Sequence, residues 1–231
     1  MVSHNEECWV LPTLSRKLVD DLVELGHETR ESISSKRFYT KTREAWIASV
    51  FLLRKILIEG RLWYLRKNVI EDSVDDIYAR PFENVNGVWY SEYELPIQVF
   101  RRTDQSKGNI YDSIIDKLHN HDLHNVSLVL YVMKDEVVDW NGLFDKMDKL
   151  KPRVRDVSII GNIGERKFVV GEIFPYKSIS AVNLDLYELV GPKIVQAIQV
   201  NKAEDSGVSK IGQALLTTSF DIIDLERNTK I

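Results

Sequence analysis

The stretch that decides the fold is residues 75–102, DDIYARPFENVNGVWYSEYELPIQVFRR. A strand predicted over residues 76–80 begins beside an acidic pair, and Asn86-Gly87 is a dipeptide typical of tight hairpin turns. Further short strands are predicted over 88–91 and 95–100, where β-favouring residues cluster. We therefore predict a three-stranded meander, with the rest of the chain packed around it.

A helix predicted over residues 42–58 precedes this meander. Its apolar stripe consists of Trp46, Val50, Leu53 and Leu57, and further apolar residues lie beside that stripe. A helix that is apolar over most of its circumference is expected to be buried against a sheet. Residues 61–70 alternate between apolar and basic and are compatible with either a helix or a strand.

The remaining elements alternate between helices and strands. We predict helices over 14–31, 110–118 (capped by Asn109) and 140–150 (capped by Asp139), and strands over 126–133, 157–163 and 167–174. Strands that alternate with helices imply parallel crossovers. After residue 175 the pattern weakens, and helices are predicted over 192–200 and 208–218.

The predicted fold is therefore α/β, with a mixed central sheet of about five or six strands flanked by helices. Three segments are expected. Residues 1–41 form an N-terminal helix and a polar loop, 42–175 form the α/β core, and 176–231 form a small C-terminal extension rich in helix.

Composition excludes several classes of protein. The chain has 231 residues, 44% of them hydrophobic and 29% charged, which is ordinary for a globular protein. No apolar run reaches the roughly 18 residues that a membrane helix needs, and no secretory signal is evident. The single cysteine, Cys8, excludes an internal disulfide and a cysteine-built zinc site. A cytoplasmic protein without a membrane partner is expected.

Charge is distributed unevenly along the chain. Residues 35–67 carry nine Lys or Arg and two acids, a balance of +7, so the rest of a chain of net charge −4 sums to −11. A basic segment on an acidic protein is suited to binding phosphates or an acidic partner, although a solvated helix face would look the same. The predicted nucleic-acid-binding residues are Lys36, Arg37, Lys41 and Arg43, joined by Arg101, Arg102 and Lys107.

The third strand of the meander has one unusual face. Side chains two residues apart share a face of a strand, so Glu94, Pro96, Gln98 and Phe100 point one way and an apolar set points the other way. Polar residues on an inward face indicate either a site or neighbouring backbone groups that they satisfy. Pro96, which has no N–H to donate, favours an edge strand or a bulge.

Two acids are predicted to meet this face, Asp76 from a neighbouring strand and Glu44 from the start of the buried helix. The order of a buried helix with Glu, a strand with Asp, a strand with a polar pair, a helix and a strand resembles the PD-(D/E)XK nuclease superfamily over residues 42–174. In that family an Asp and a Glu hold magnesium, and a Lys two residues beyond the Glu helps to activate water.

The resemblance implies that Asp76 matches the family's Asp and that Glu44 matches its helix acid. Gln98 then falls at the Glu position and Phe100 at the Lys position. Shifting the alignment by two residues places Pro96 at the Glu position and Gln98 at the Lys position. The implied catalytic residues are Asp76, Gln98 and Glu44, and neither register restores the complete motif.

Three functions are compatible with these observations. The first is a non-catalytic or weakly catalytic nuclease-fold protein that binds nucleic acid, DNA rather than RNA, or a DNA-associated protein. In size and layout it is similar to an archaeal family that interacts with the TATA-binding protein. The second is an endonuclease that holds Mg²⁺ through Asp76, Glu94 and Glu44. The third is an α/β interaction domain without chemistry. A homodimer is compatible with each.

A histidine cluster, His119, His121 and His124, suggests a further metal site. Imidazoles at short spacing can bind zinc or nickel. The alternative is that they decorate a helix end, where cationic side chains suit the carbonyl dipole.

Overall fold

A computed structural model describes residues 6–13, 40–59, 61–67, 76–85, 88–91, 93–164, 167–183, 195–201, 211–218 and 221–224. The helices are α1 (Thr40–Glu59), α2 (Ile110–Asn120) and α3 (Trp140–Leu150). The strands are β1 (Glu6–Val10), β2 (Leu62–Lys67), β3 (Ile77–Val85), β4 (Val88–Tyr90), β5 (Leu95–Arg102), β6 (Ser127–Val132), β7 (Asp156–Gly164), β8 (Lys167–Phe174), β9 (Ser178–Asn183), β10 (Val195–Asn201), β11 (Ile211–Thr218) and β12 (Asp221–Asp224).

These strands form one mixed sheet in the order β12-β11-β10-β1-β2-β3-β5-β6-β7-β8-β9, with β4 paired to β3. The pairs β5–β6 and β6–β7 are parallel, and the helices α2 and α3 provide the two crossovers. This confirms the predicted mixed α/β class and its parallel crossovers. The predicted helix over 14–31 and the turn Asn86-Gly87 lie outside the described residues.

One face of the sheet is covered by α1, whose Val50 and Leu53 are buried. Trp46 is half-buried and packs edge-to-face on aromatic rings of β6 and β8. These contacts confirm the predicted inward stripe, except at Leu57, whose side chain is not among the described ones. Full burial of each large apolar side chain contributes roughly 1.5–3 kcal/mol, so α1 anchors the core.

The other face is covered by α2 and α3, which bury Ile114 and Met147 against apolar residues of β6 and β7. Asn109 caps α2 in a reciprocal capping box with Asp112, and Asp139 caps α3, as the sequence predicts. Both helix starts are therefore fixed by local hydrogen bonds.

The sheet is larger than predicted, since the described residues alone contribute twelve strands to it. It grows because β1 pairs with both β2 and β10, which joins the two ends of the chain to the core. Residues 61–70, whose sequence is compatible with either a helix or a strand, contribute β2.

Two predictions about local structure were wrong. The segments expected to be helical after residue 175 contain β10 and β11, because segments of seven or eight residues that mix apolar and polar side chains do not distinguish helix from strand, and strand pairing decides. Pro96 lies in an interior strand, not at an edge. Its missing N–H is tolerated because the parallel ladder with β6 begins at Ile97, one residue later.

Within the described residues, no helix combines the length and the apolar character that a membrane span requires.

Candidate functional site

Asp76 and Gln98 meet where β3 begins beside the middle of β5. The Asp76 Oδ2 atom accepts hydrogen bonds from Gln98 Nε2 at 2.5 Å and from the Val99 backbone N–H at 2.8 Å. The Asp76 N–H donates to the Ile97 carbonyl at 3.0 Å. Because both its backbone and its side chain are bound to β5, the buried Asp76 carboxylate is held in one position.

The start of α1 brings Glu44 and Lys41 to the same place. The Lys41 ammonium lies 2.9 Å from Asp76 Oδ1 and 3.4 Å from Glu44 Oε2. Lys41, a member of the predicted nucleic-acid-binding set, thus joins Glu44 to Asp76, and Asp76 in turn binds Gln98. The positive charge of the Lys41 ammonium is attracted to both carboxylates and partly neutralises them.

Burial and, after it, the nearby Asp76 charge raise the pKa of Glu44, and Lys41 opposes both effects, so that the pKa is about 7. Burial alone would lower the pKa of Lys41, but its hydrogen bond and charge interactions with Asp76, together with those to Glu44, give a net rise. The ammonium therefore stays charged, while Glu44 exchanges its proton near neutrality.

Lys117, on α2, is a further charged neighbour of Asp76 and Glu44 that no pattern in the sequence predicts. Burial lowers its pKa, and the charges of Asp76 and Glu44 partly oppose that change. Its place on α2 follows from the crossover between β5 and β6, and no spacing in the sequence relates residue 117 to residue 76. The site consequently combines two carboxylates with two lysines.

Glu94, predicted as a metal ligand, binds elsewhere. Its Oε2 atom accepts from Arg80 Nε at 3.1 Å and pairs with Arg66 at 3.6 Å. Glu94 shares a face with Gln98, but four residues of strand separate them by about 13 Å. In the described part of the chain, no three His, Cys, Asp or Glu side chains are grouped so that they could hold a metal. The predicted carboxylate set for Mg²⁺ is therefore not assembled, because two arginines hold Glu94.

The three clustered histidines lie at and just beyond the end of α2. His119 lies in the last turn of α2 and His121 caps its end, as the helix-end interpretation predicts, and His124 follows in an exposed turn. Both helix-end imidazoles line a cavity of about 380 Å³ between the ends of α2 and α3. Among the described residues these histidines form no metal-binding group.

The predicted basic surface is only partly assembled. Burial lowers the pKa of Arg43, and the positive charge of Arg101 lowers it further. Arg101 and Lys107 are exposed. Lys36 and Arg37 lie outside the described residues.

Arg102 does not belong to that surface. It is 1% exposed, and its guanidinium binds Glu136 through Nε at 2.6 Å and Nη2 at 3.0 Å. Its prediction as a nucleic-acid contact was wrong, because neighbouring strand residues point to opposite faces and Arg102 points inward.

Phe100, at the position where the resemblance expects a lysine, is half-buried in the apolar cluster beneath α2 and α3. An ammonium at this position would replace apolar contacts with a partly desolvated charge. The structure accordingly gives Phe100 a packing role.

Comparison of the chain with models of protein families, with curated proteins and with solved structures finds no match to any of them.

Proposed function

We propose that this chain is a nucleic-acid-binding protein with a nuclease-like α/β core, in which an internal lysine neutralises the carboxylate site. The observation that carries the proposal is the Lys41 ammonium between Asp76 and Glu44. The order of α1, β3, β5, α2 and β6 supports the nuclease-like part of the proposal, with Glu44 on α1, Asp76 directly before β3 and Gln98 on β5.

We expect no efficient cleavage, because the oxygen atoms of Asp76 already have partners within the protein. Asp76 Oδ2 accepts two hydrogen bonds and Oδ1 binds an ammonium, so a metal ion would have to displace Lys41. Metal-assisted phosphodiester cleavage needs carboxylates that are free to coordinate the ion and a group that activates water. Phe100 supplies no such group.

Binding to DNA is proposed because Arg43, in the first turn of α1, and Arg101, on β5, are close enough for the charge of Arg101 to lower the pKa of Arg43. Guanidinium groups bind phosphate oxygens through paired hydrogen bonds, and contacts of this kind supply most sequence-independent affinity for DNA. Lys107, which is exposed, extends the positive surface in this proposal.

A titration of a labelled duplex DNA oligonucleotide by fluorescence anisotropy, repeated at increasing salt, tests the proposal. We expect Arg101→Ala and Arg43→Ala each to weaken binding and to reduce the slope of log K against log salt by about 1. Each variant makes one phosphate contact fewer, so binding releases fewer counterions. Lys149→Ala, at an exposed position on α3, is the control and should change neither quantity. If all three variants had equal effects, or if the parent protein did not bind DNA, the DNA-binding proposal would be rejected. An α/β interaction domain without chemistry would then be the remaining function.

The competing function, a divalent-metal-dependent endonuclease, is tested by incubating mixed nucleic acids with Mg²⁺ or Mn²⁺ and, in parallel, with a chelator. If cleavage occurs, we expect it to require the metal and to be lost in Asp76→Ala, since Asp76 holds the centre of the site. Glu94→Gln is the matched control and should retain the activity, because Glu94 pairs with Arg66 and Arg80. Metal-dependent cleavage that persists in Asp76→Ala would refute this site.

A further inference from the structure

A second group of buried polar side chains lies under the C-terminal half of α1, where β6 and β7 begin. Asp156 is only 5% exposed, and its Oδ2 atom accepts a hydrogen bond from Ser127 Oγ at 2.7 Å. Its Oδ1 atom is buried and has no hydrogen-bond partner among the described residues. The same is true of the Ser158 hydroxyl, two residues along the same face of β7. A buried carboxyl with one unpartnered oxygen needs either a proton or a cation.

Two of the neighbouring cations are already held by other partners. Arg54 donates to Glu172 at 3.0 Å and also to the hydroxyls of Ser178 and Ser180. The Arg155 guanidinium lies 4.7 Å from the centre of the Tyr93 ring. Arg54 therefore cannot reach Asp156 without leaving Glu172 buried and unpaired.

Lys55 is the neighbour that can change partner. Its ammonium is 3.3 Å from Glu59 Oε1 and 5.4 Å from the ring centres of Phe51 and Trp63. Glu59 is also bound by Trp63 Nε1 at 2.9 Å, so Glu59 keeps a partner if Lys55 leaves. A partly exposed lysine–glutamate pair one helical turn apart is weak, which makes the exchange inexpensive.

The electrostatics agree with this geometry. Burial and, to a smaller extent, Glu172 raise the pKa of Asp156, whereas Lys55, the Ser127 hydroxyl and Arg155 lower it, and the net result is a pKa of about 6. Lys55 is the strongest of these opposing influences. The carboxyl group therefore gains or loses its proton close to neutral pH, and Lys55 is the cation that most affects this change.

We propose that Asp156 and Lys55 form a proton-controlled contact between β7 and the C-terminal half of α1. When Asp156 is protonated, Lys55 pairs with Glu59 as observed. When the proton leaves to solvent, the Lys55 ammonium moves to Asp156 Oδ1 and Glu59 retains its bond to Trp63. One proton is released and no net charge is left buried without a partner.

The test is an NMR titration of the full chain between pH 4 and 8, which follows the Asp156 side-chain carboxyl carbon and the Lys55 side-chain nitrogen. We expect both signals to change with one midpoint near 6. Lys55→Met should raise the Asp156 midpoint by about one pH unit, because the favourable cation is lost. Lys149→Met is the matched control and should not move it.

Two further variants keep the test decisive if Lys55→Met does not fold. Asp156→Asn should remove the change at Lys55, and Glu59→Gln should lower the Asp156 midpoint because Lys55 is released to Asp156. An Asp156 midpoint near 4, as for a solvated aspartate, would overturn the proposal. So would a Lys55 signal that changes independently of Asp156.

Discussion

Arg102→Met is expected to lower the free energy of unfolding by about 3–5 kcal/mol, because removing one member of a buried ion pair leaves the other charge uncompensated. Arg102 binds both carboxylate oxygens of Glu136 and the Ser113 hydroxyl, and it also donates to the backbone carbonyls of Lys107 and Gly108. It thereby connects the end of β5 to the loop before α2 and to the segment after β6.

Urea unfolding monitored by circular dichroism measures this effect, and the neighbouring arginine provides the control. Arg101→Met, at an exposed position, should change the free energy of unfolding by no more than about 0.5 kcal/mol. The double variant Arg102→Met/Glu136→Gln should be less destabilised than the sum of its two single changes, since the second change removes the stranded charge. Equal stability of the two single arginine variants would contradict the buried role of Arg102.

Asp156→Asn is expected to raise the free energy of unfolding at pH 7 by about 1–3 kcal/mol. The folded protein holds the Asp156 pKa at about 6, above the value of about 3.9 for an unfolded aspartate. The folded state therefore binds the proton more tightly, and its stabilising effect is complete below pH 4 and lost as pH rises through 6. Asparagine does not ionise, and it can still accept the Ser127 hydrogen bond.

Urea unfolding of both proteins between pH 4 and 7 checks the sign of this effect. The stability difference should be close to zero at pH 4, grow through pH 5 and 6, and level off above pH 6. Asp145→Asn, at an exposed position on α3, is the control and should show no such trend. An Asp156→Asn protein that is less stable than the parent at pH 7 would contradict the unfavourable burial of this charge.

The candidate site could be predicted in part. Strand alternation identified the face of β5 that carries Gln98, and the meeting of Gln98 with Asp76 followed from neighbouring strands. The ion pairs of Glu94 with arginines could not be predicted, because the register between β3 and β5 determines which arginines face it. The proximity of Lys117 to Asp76 could not be predicted either, because it depends on where the crossover helix packs.

Two adjacent arginines also show that local sequence does not predict which side chains are buried. Arg101 and Arg102 are adjacent and identical in chemistry, yet one is exposed and the other is among the most buried side chains. Local sequence assigns them to opposite faces of β5 but does not indicate which face is covered. That choice depends on the packing of α2 and its preceding loop.

The sequence by itself determined the elements whose signals are local. The Asn109 and Asp139 caps act within one helical turn, the stripe on α1 repeats with the helical period, and the apolar run of β6 is typical of a strand covered on both faces. Only the tertiary structure decided which strands pair across the chain. Short segments such as β10 and β11 become strands because pairing with other strands satisfies their backbone N–H and C=O groups. Lys41 lies between Asp76 and Glu44 because α1 packs with its first turn beside β3.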